Sequence, residues 1–150
     1  IKPNNNITRA EFVTLVNKVF GFYELGGEQF SDVGNTKWYS SEISKARSAG
    51  YIAGYENNAF KPDNNITRED MAVLISRFAE KLGCRLPELN EEKVFRDSAD
   101  IAVYAMDSVK SIQKAGIIEG KPNAVFAPKD YATREETAKI FTVLIKLIVK

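Results

Sequence analysis

The sequence predicts an all-α fold made from a repeated helical unit, and three observations carry that prediction. The phrase Pro-x-x-x-x-Thr-Arg-x-(Glu/Asp) occurs three times, from Pro3 to Glu11, Pro62 to Asp70 and Pro128 to Glu136, with the threonines 59 and 66 residues apart. A second phrase runs between the copies: Phe30-Ser31-Asp32 recurs as Phe95-Arg96-Asp97, and Ala49-Gly50-Tyr51-Ile52-Ala53-Gly54 as Ala115-Gly116-Ile117-Ile118-Glu119-Gly120. After each Thr-Arg the apolar residues fall at helical spacing. A recurrence of this length marks supersecondary units that bury their apolar faces against one another. The economical arrangement is a pseudo-threefold array around a central bundle of three helices, one from each copy.

The elements follow in order. Residues 1–26 hold the second half of a unit, and Phe12, Leu15, Val16, Val19 and Phe20 trace one helical stripe. Residues 30–83 form a complete repeat. Its first helix carries Trp38, Ile43, Ala46 and Ala49 and ends at Gly50, suited to the left-handed C′ position. A turn-rich stretch to Phe60 follows, then a helix with Met71, Leu74, Ile75, Phe78, Ala79 and Leu82 on one face. Residues 95–150 repeat the pattern with Tyr104, Val109, Ile112 and Ala115, Gly116, and then Ile140, Phe141, Leu144, Ile145 and Ile148. A chain that opens in mid-repeat suggests a piece of a longer protein, in which the three parts form one module.

Composition narrows the chemistry. With 44% hydrophobic residues in 150 the chain can bury an ordinary core, and no stretch is apolar and long enough to insert in a membrane. A net charge of +1 provides no general field for nucleic acid, so nucleic acid is not an expected partner. Histidine is absent and Cys84 is the sole cysteine, which excludes an internal disulfide, a His/Cys metal cluster and a His-dependent triad. No cofactor is expected, and no role falls to Cys84. The Asn/Asp loop from Asp63 fails as a calcium loop because Arg68 and Leu74 stand at its sixth and twelfth positions. No carboxylate pair stands out for glycan hydrolysis, so an enzyme is not expected.

Thr8, Thr67 and Thr133 each precede an acidic residue by three positions, the pattern of a capping box in which Glu11, Asp70 and Glu136 reach back to the cap. Arg9, Arg68 and Arg134 then occupy the first helical position, where the helix dipole disfavours a cation by a few tenths of a kcal/mol or more. Two compensating partners are open. One is a structural ion pair with a carboxylate such as Asp32 or Asp97; the other is an anionic ligand held between the guanidinium and free N–H groups of the helix start. Asp32 and Asp97 themselves are suited to closing a turn or capping a helix. Trp38 is the only tryptophan, either a core residue or an exposed sugar platform.

Together, Phe-x-Asp, the aromatic pair Trp38-Tyr39, Ala-Gly-x-Ile-x-Gly, Phe-x-Pro and Ile-Thr-Arg-Glu resemble the S-layer homology repeat over nearly the whole chain. The resemblance implies a module working in threes as a helical spindle on the surface of a Gram-positive or related bacterium. It implies non-catalytic anchoring to the wall through a secondary cell-wall polymer or peptidoglycan-linked glycan, often one carrying pyruvate ketals. Carried over residue by residue, the anion-contacting role falls on Arg9, Arg68 and Arg134. Thr8, Thr67, Thr133, Asp32, Asp97 and Trp38 complete the candidate ligand-binding set.

Two departures bear on that reading. The first repeat lacks its Phe-x-Asp helix, leaving one of the ligand grooves that the resemblance implies between repeats incomplete and an apolar face on residues 1–26 to be covered either by the C-terminal helix 144–150 or by a second copy, so a homo-oligomer is a further expected partner. In the third repeat Val103 aligns with Trp38, and Asp130-Tyr131 precede the Thr-Arg motif. The competing function is a protein–protein assembly module in which the arginines serve as structural ion pairs.

Overall fold

The computed structural model describes residues 5–149. Pro3, the first of the three entry-loop prolines, lies outside them. The chain is all-α: α1 (Arg9–Phe20), α2 (Ser40–Ala49), α3 (Arg68–Lys81), α4 (Met106–Lys114) and α5 (Arg134–Ile148), with single 3-10 turns between. Among the described residues only isolated antiparallel bridges form, and no helix is long and apolar enough to cross a membrane.

Two compact units result, one of residues 7–66 and the other of residues 67–149 with 5–6. They are out of phase with the sequence repeat. Each unit joins a Thr-Arg helix to the Phe-x-Asp half that follows it in the chain. In the first unit α1 packs on α2; in the second α3 packs on α4.

The apolar stripes are buried largely as their spacing predicts. Phe12 and Val16 of α1 are fully buried, joined by Val13, while Leu15, Val19 and Phe20 are half-buried. Phe12, Val13 and Val16 of α1 are thus covered within the chain, while Leu15, Val19 and Phe20 keep part of their surface in solvent. On α3 Met71, Leu74, Ile75, Phe78 and Ala79 are buried, as are Ala72 and Val73, so this helix is enclosed on most sides. On α5 Ile140, Phe141 and Leu144 are buried whereas Ile145 is exposed. Gly50 (φ 83°) and Gly116 (φ 73°) take the left-handed conformation at the ends of α2 and α4.

The two helix pairs are joined differently. Between α1 and α2, the buried Asn17 donates from Nδ2 to the Glu42 carbonyl (2.9 Å) and carboxylate (3.1 Å), and accepts on Oδ1 from the Tyr51 hydroxyl (2.8 Å). At the corresponding place on α3 stands Ser76, whose buried Oγ has no hydrogen-bond partner, and Ile117 replaces Tyr51. A buried polar group without a partner costs about 1–3 kcal/mol. Tyr51→Phe should thus lower the unfolding free energy by about 1–2 kcal/mol, while Ser76→Ala should leave it unchanged or raise it by up to about 1 kcal/mol. Urea unfolding of the two variants checks the pair; equal losses at both positions would contradict the assignment.

Candidate functional site

Each unit carries the same clasp around its Phe-x-Pro peptide. In the first, the Asp32 carboxylate accepts from the N–H groups of Phe60 and Lys61, both at 2.8 Å, and the Phe60 carbonyl accepts from Arg9 Nε at 2.9 Å. In the second, Asp97 accepts from Phe126 and Ala127 N–H at 2.8 Å each, and the Phe126 carbonyl accepts from Arg68 Nε at 2.9 Å. One peptide is thereby gripped on both polar groups by opposite charges. Lys61 and Ala127, which precede the prolines, are left-handed (φ 59° and 58°), a conformation that costs a non-glycine residue about 1–2 kcal/mol and that the carboxylate holds in place.

Aromatic packing completes the clasp. Phe30 lies 5.2 Å from Phe60 and Phe95 5.3 Å from Phe126, centroid to centroid. A Cβ on Gly54 would come within 2.9 Å of the Phe30 ring, and one on Gly120 within 2.6 Å of the Phe95 ring, so both glycines are required for close approach. The connecting turns match too: Asn57-Asn58 and Asn123-Ala124 are left-handed pairs closed by Tyr55 N–H to Ala59 O and Lys121 N–H to Val125 O, each 2.7 Å.

The threonines cap as their spacing predicts. Thr8, Thr67 and Thr133 Oγ1 accept from the N–H of Glu11 (3.1 Å), Asp70 (3.3 Å) and Glu136 (3.1 Å). The reciprocal box closes at Thr8, whose N–H donates to Glu11 Oε1. The Asp70 carboxylate accepts from the Tyr104 hydroxyl at 2.5 Å, and the Glu136 carboxylate pairs with Arg68.

The helix starts hold no free donors at their first positions, which corrects the premise of an anion seated there. Arg9 and Ala10 N–H donate to the carbonyls of Asn64 (2.8 Å) and Pro62 (3.0 Å); Arg68 and Glu69 N–H donate to those of Asp130 (2.9 Å) and Pro128 (3.0 Å). Arg134 N–H donates to Asn5 O at 2.8 Å. The Pro-x-x loops, rather than a ligand, satisfy the orphan N–H groups that every helix start presents.

The arginines differ in setting. Arg68 is 1% exposed, with Nη2 donating to Glu119 O at 3.2 Å beside its Phe126 and Glu136 contacts. Burial pushes its guanidinium below the ordinary value while Asp130 and Asp97 pull it back up; an arginine so placed stays charged. The ion-pair partner is Glu136 rather than the Asp97 that the sequence offers, since Asp97 is committed to the backbone. Arg9 is also buried, its guanidinium 4.6 Å from the centroids of both Tyr55 and Phe60. Arg134 is half-buried, beside a cavity of 540 Å³ that Tyr131, Thr133, Lys121 and Lys139 help line.

Trp38 is 62% exposed. Its counterpart is Tyr104, 58% exposed, not Val103: each aromatic lies two residues before the start of its helix, at Ser40 and Met106, and the buried Tyr39 and Ala105 follow them. The sequence alignment slips here because nine residues separate Asp97 from Met106 where eight separate Asp32 from Ser40. The step from 65 residues between Phe30 and Phe95 to 66 between Ile43 and Val109 was the available signal. Lys61 was also missed; it is exposed, with Nζ 4.7 Å from the Tyr55 centroid.

Burial disfavours ionisation of Asp97, but the N–H donors of Phe126, Ala127 and its own backbone, with the Arg68 charge, outweigh it and hold the carboxyl below its ordinary range. A depressed folded-state pKa contributes stability that is complete above the unfolded value, about 3.9, and is lost as pH falls through the folded value. Asp97→Asn should lower stability at neutral pH by roughly 1.5–3 kcal/mol and flatten the acid limb of the stability profile. Urea unfolding from neutral to strongly acid pH tests this, and acid limbs of equal steepness in both proteins would contradict it.

The S-layer homology domain matches this chain at residues 29–72 and 94–138. The chain is 38% identical to an amylopullulanase of Thermoanaerobacterium thermosulfurigenes and 39% identical to exoglucanase XynX of Acetivibrio thermocellus, in each case over 97% of its own length. It is 28% identical over 93% of its length to a cellulosome-anchoring protein of Acetivibrio thermocellus. The chain spans 8%, 13% and 32% of those three proteins respectively.

Proposed function

We propose, from the premise that the chain belongs to the S-layer homology family, that it binds an anionic secondary cell-wall polymer and so ties a larger protein to the wall. The chain is a cell-surface anchoring module of the wall or surface layer of a Gram-positive bacterium. The catalytic activities named for the two enzymes belong to those proteins, of which this chain matches a small share; the module itself is proposed as non-catalytic.

The observation that carries the reading is the exposed aromatic standing at the same place in both units. A core role would bury Trp38 and Tyr104, yet both keep more than half their surface in solvent while the residues next to them are buried. Flat rings held by a rigid helix start suit the apolar face of a sugar. In the proposed arrangement Arg9 and Arg68 hold the clasped loops in position, with Asp32, Asp97 and the three threonines fixing the same frame. Anionic groups of the polymer, pyruvate ketals among them, meet the cations nearer the surface: Arg134, Lys61 and Lys121.

Pull-down on wall sacculi before and after acid stripping of attached polymers tests the proposal; equal binding to stripped walls would overturn it. Trp38→Ala should weaken binding several-fold at unchanged thermal unfolding; Tyr104→Ala should weaken it likewise and also lower stability by about 1 kcal/mol, because its hydroxyl donates to the Asp70 carboxylate. Arg68→Ala should instead destabilise the fold by about 3–5 kcal/mol, because it leaves the Glu136 carboxylate without its partner and opens the clasp. The Arg68–Glu136 ion pair also favours the second reading, an assembly module with structural arginines. Under that reading sedimentation shows self-association and the aromatic variants bind walls as the parent does.

A further inference from the structure

We propose that the first unit contains a separate pocket for a carboxylate, built around Arg47 and distinct from the clasp. Arg47 projects from the last turn of α2 into a cavity of 210 Å³ between that helix and residues 26–35. Its guanidinium stacks 4.1 Å from the Phe30 centroid, and its Nη1 is buried with no hydrogen-bond acceptor. The N–H bonds of a guanidinium lie in its plane, so stacking on a ring face leaves them unsatisfied. Among the described residues no carboxylate forms an ion pair with it, and a buried cationic donor without an acceptor is costly.

The wall around it is built for this side chain. Gly27 is left-handed (φ 80°), and a Cβ there would come within 2.4 Å of Arg47 Cγ, so a side chain at that position would displace the arginine stem. Gly26 is fixed to α2 through Ser44, whose Oγ accepts from its N–H at 3.0 Å and donates to its carbonyl at 3.2 Å. Gln29 bridges Val33 and Asn35 across the far side.

The second unit supplies an internal control. Gln113 stands at the position of Arg47, and its amide is fully engaged by the preceding segment: Oε1 accepts from Lys93 N–H at 2.9 Å and Nε2 donates to Glu91 O at 3.1 Å. The cavity there is lined by Met106, Ile101, Val109 and Phe95 and has no comparable orphan donor. A position that is satisfied as glutamine in one unit and left as an unmatched arginine in the other marks a ligand group missing from the first. Its chemistry follows from the guanidinium edge, which pairs in plane with two carboxylate oxygens. The cavity admits a small organic acid or the acidic end of a uronic sugar; Glu28 is the one carboxylate in its lining and opposes the ligand's charge.

The test is an NMR titration of the intact chain, following the Arg47 side-chain Nε–H signal with acetate, glucuronate and, as uncharged control, methyl glucoside. Both carboxylates should shift the signal saturably, with dissociation constants on the order of millimolar, as expected for fragments of this size. Tighter binding of glucuronate than of acetate identifies a sugar acid as the source; the reverse identifies a free small acid. Arg47→Gln, which installs the residue of the other unit, should abolish the response while backbone signals outside the pocket stay in place. Glu28→Gln should tighten binding several-fold. An absent or unsaturable shift in the parent chain, an equal response to methyl glucoside, or backbone shifts around the pocket that persist in Arg47→Gln would overturn the proposal. None of these outcomes depends on wall binding, which the sacculus assay reads separately.

Discussion

The structure depends on a single peptide in each unit, the one joining Phe to the residue before Pro. Asp32 or Asp97 holds its N–H side and Arg9 or Arg68 holds its C=O side. From that fixed point the Phe ring packs against its partner Phe, the Pro loop turns back to satisfy the first N–H groups of the Thr-Arg helix, and the helix start in turn aims the arginine at the carbonyl. The loop is circular in cause. A left-handed residue ahead of proline would not persist in an isolated peptide, and it persists here because a charged acceptor reaches its N–H.

Repetition of the frame makes the differences between units informative. The first joins its helices with Asn17, Tyr51 and Glu42 and places Arg9 and Lys61 against the Tyr55 ring; the second has Ser76 and Ile117 at the join and ties Lys121 to Asp130 and Lys129 to Glu69. Lys121 and Lys129 of the second unit are thus paired with carboxylates, whereas Lys61 of the first lies against an aromatic ring. The two units thus present different charges around the same scaffold.

Much of the helical frame was legible because it is local. Apolar stripes set by a 3.6-residue period, threonine caps three residues from an acid, and glycines at helix ends depend on neighbours within one turn, and α1, α3 and α5 begin one residue past their threonines. The clasp was not legible. Asp32 meets Phe60 across 28 residues, and nothing in Phe-x-Asp distinguishes a carboxylate that caps a helix from one that grips a distant peptide. Arg9 and Arg68 stayed open between an ion pair and a ligand contact because the loops folded over them are tertiary. Trp38 was ambiguous between core and surface for the same reason, and one extra residue before α4 hid Tyr104 as its counterpart.

The claim that Asp97 and Arg68 act on one peptide as a unit is tested most directly by a double-mutant cycle on unfolding free energy with Asp97→Asn and Arg68→Ala. Each side chain positions the peptide for the other, so losing one removes most of what the other contributes. The double variant should be less destabilised than the sum of the singles by more than about 1 kcal/mol. Additivity within about 0.5 kcal/mol would show two independent contacts that happen to share a residue, and would contradict the account.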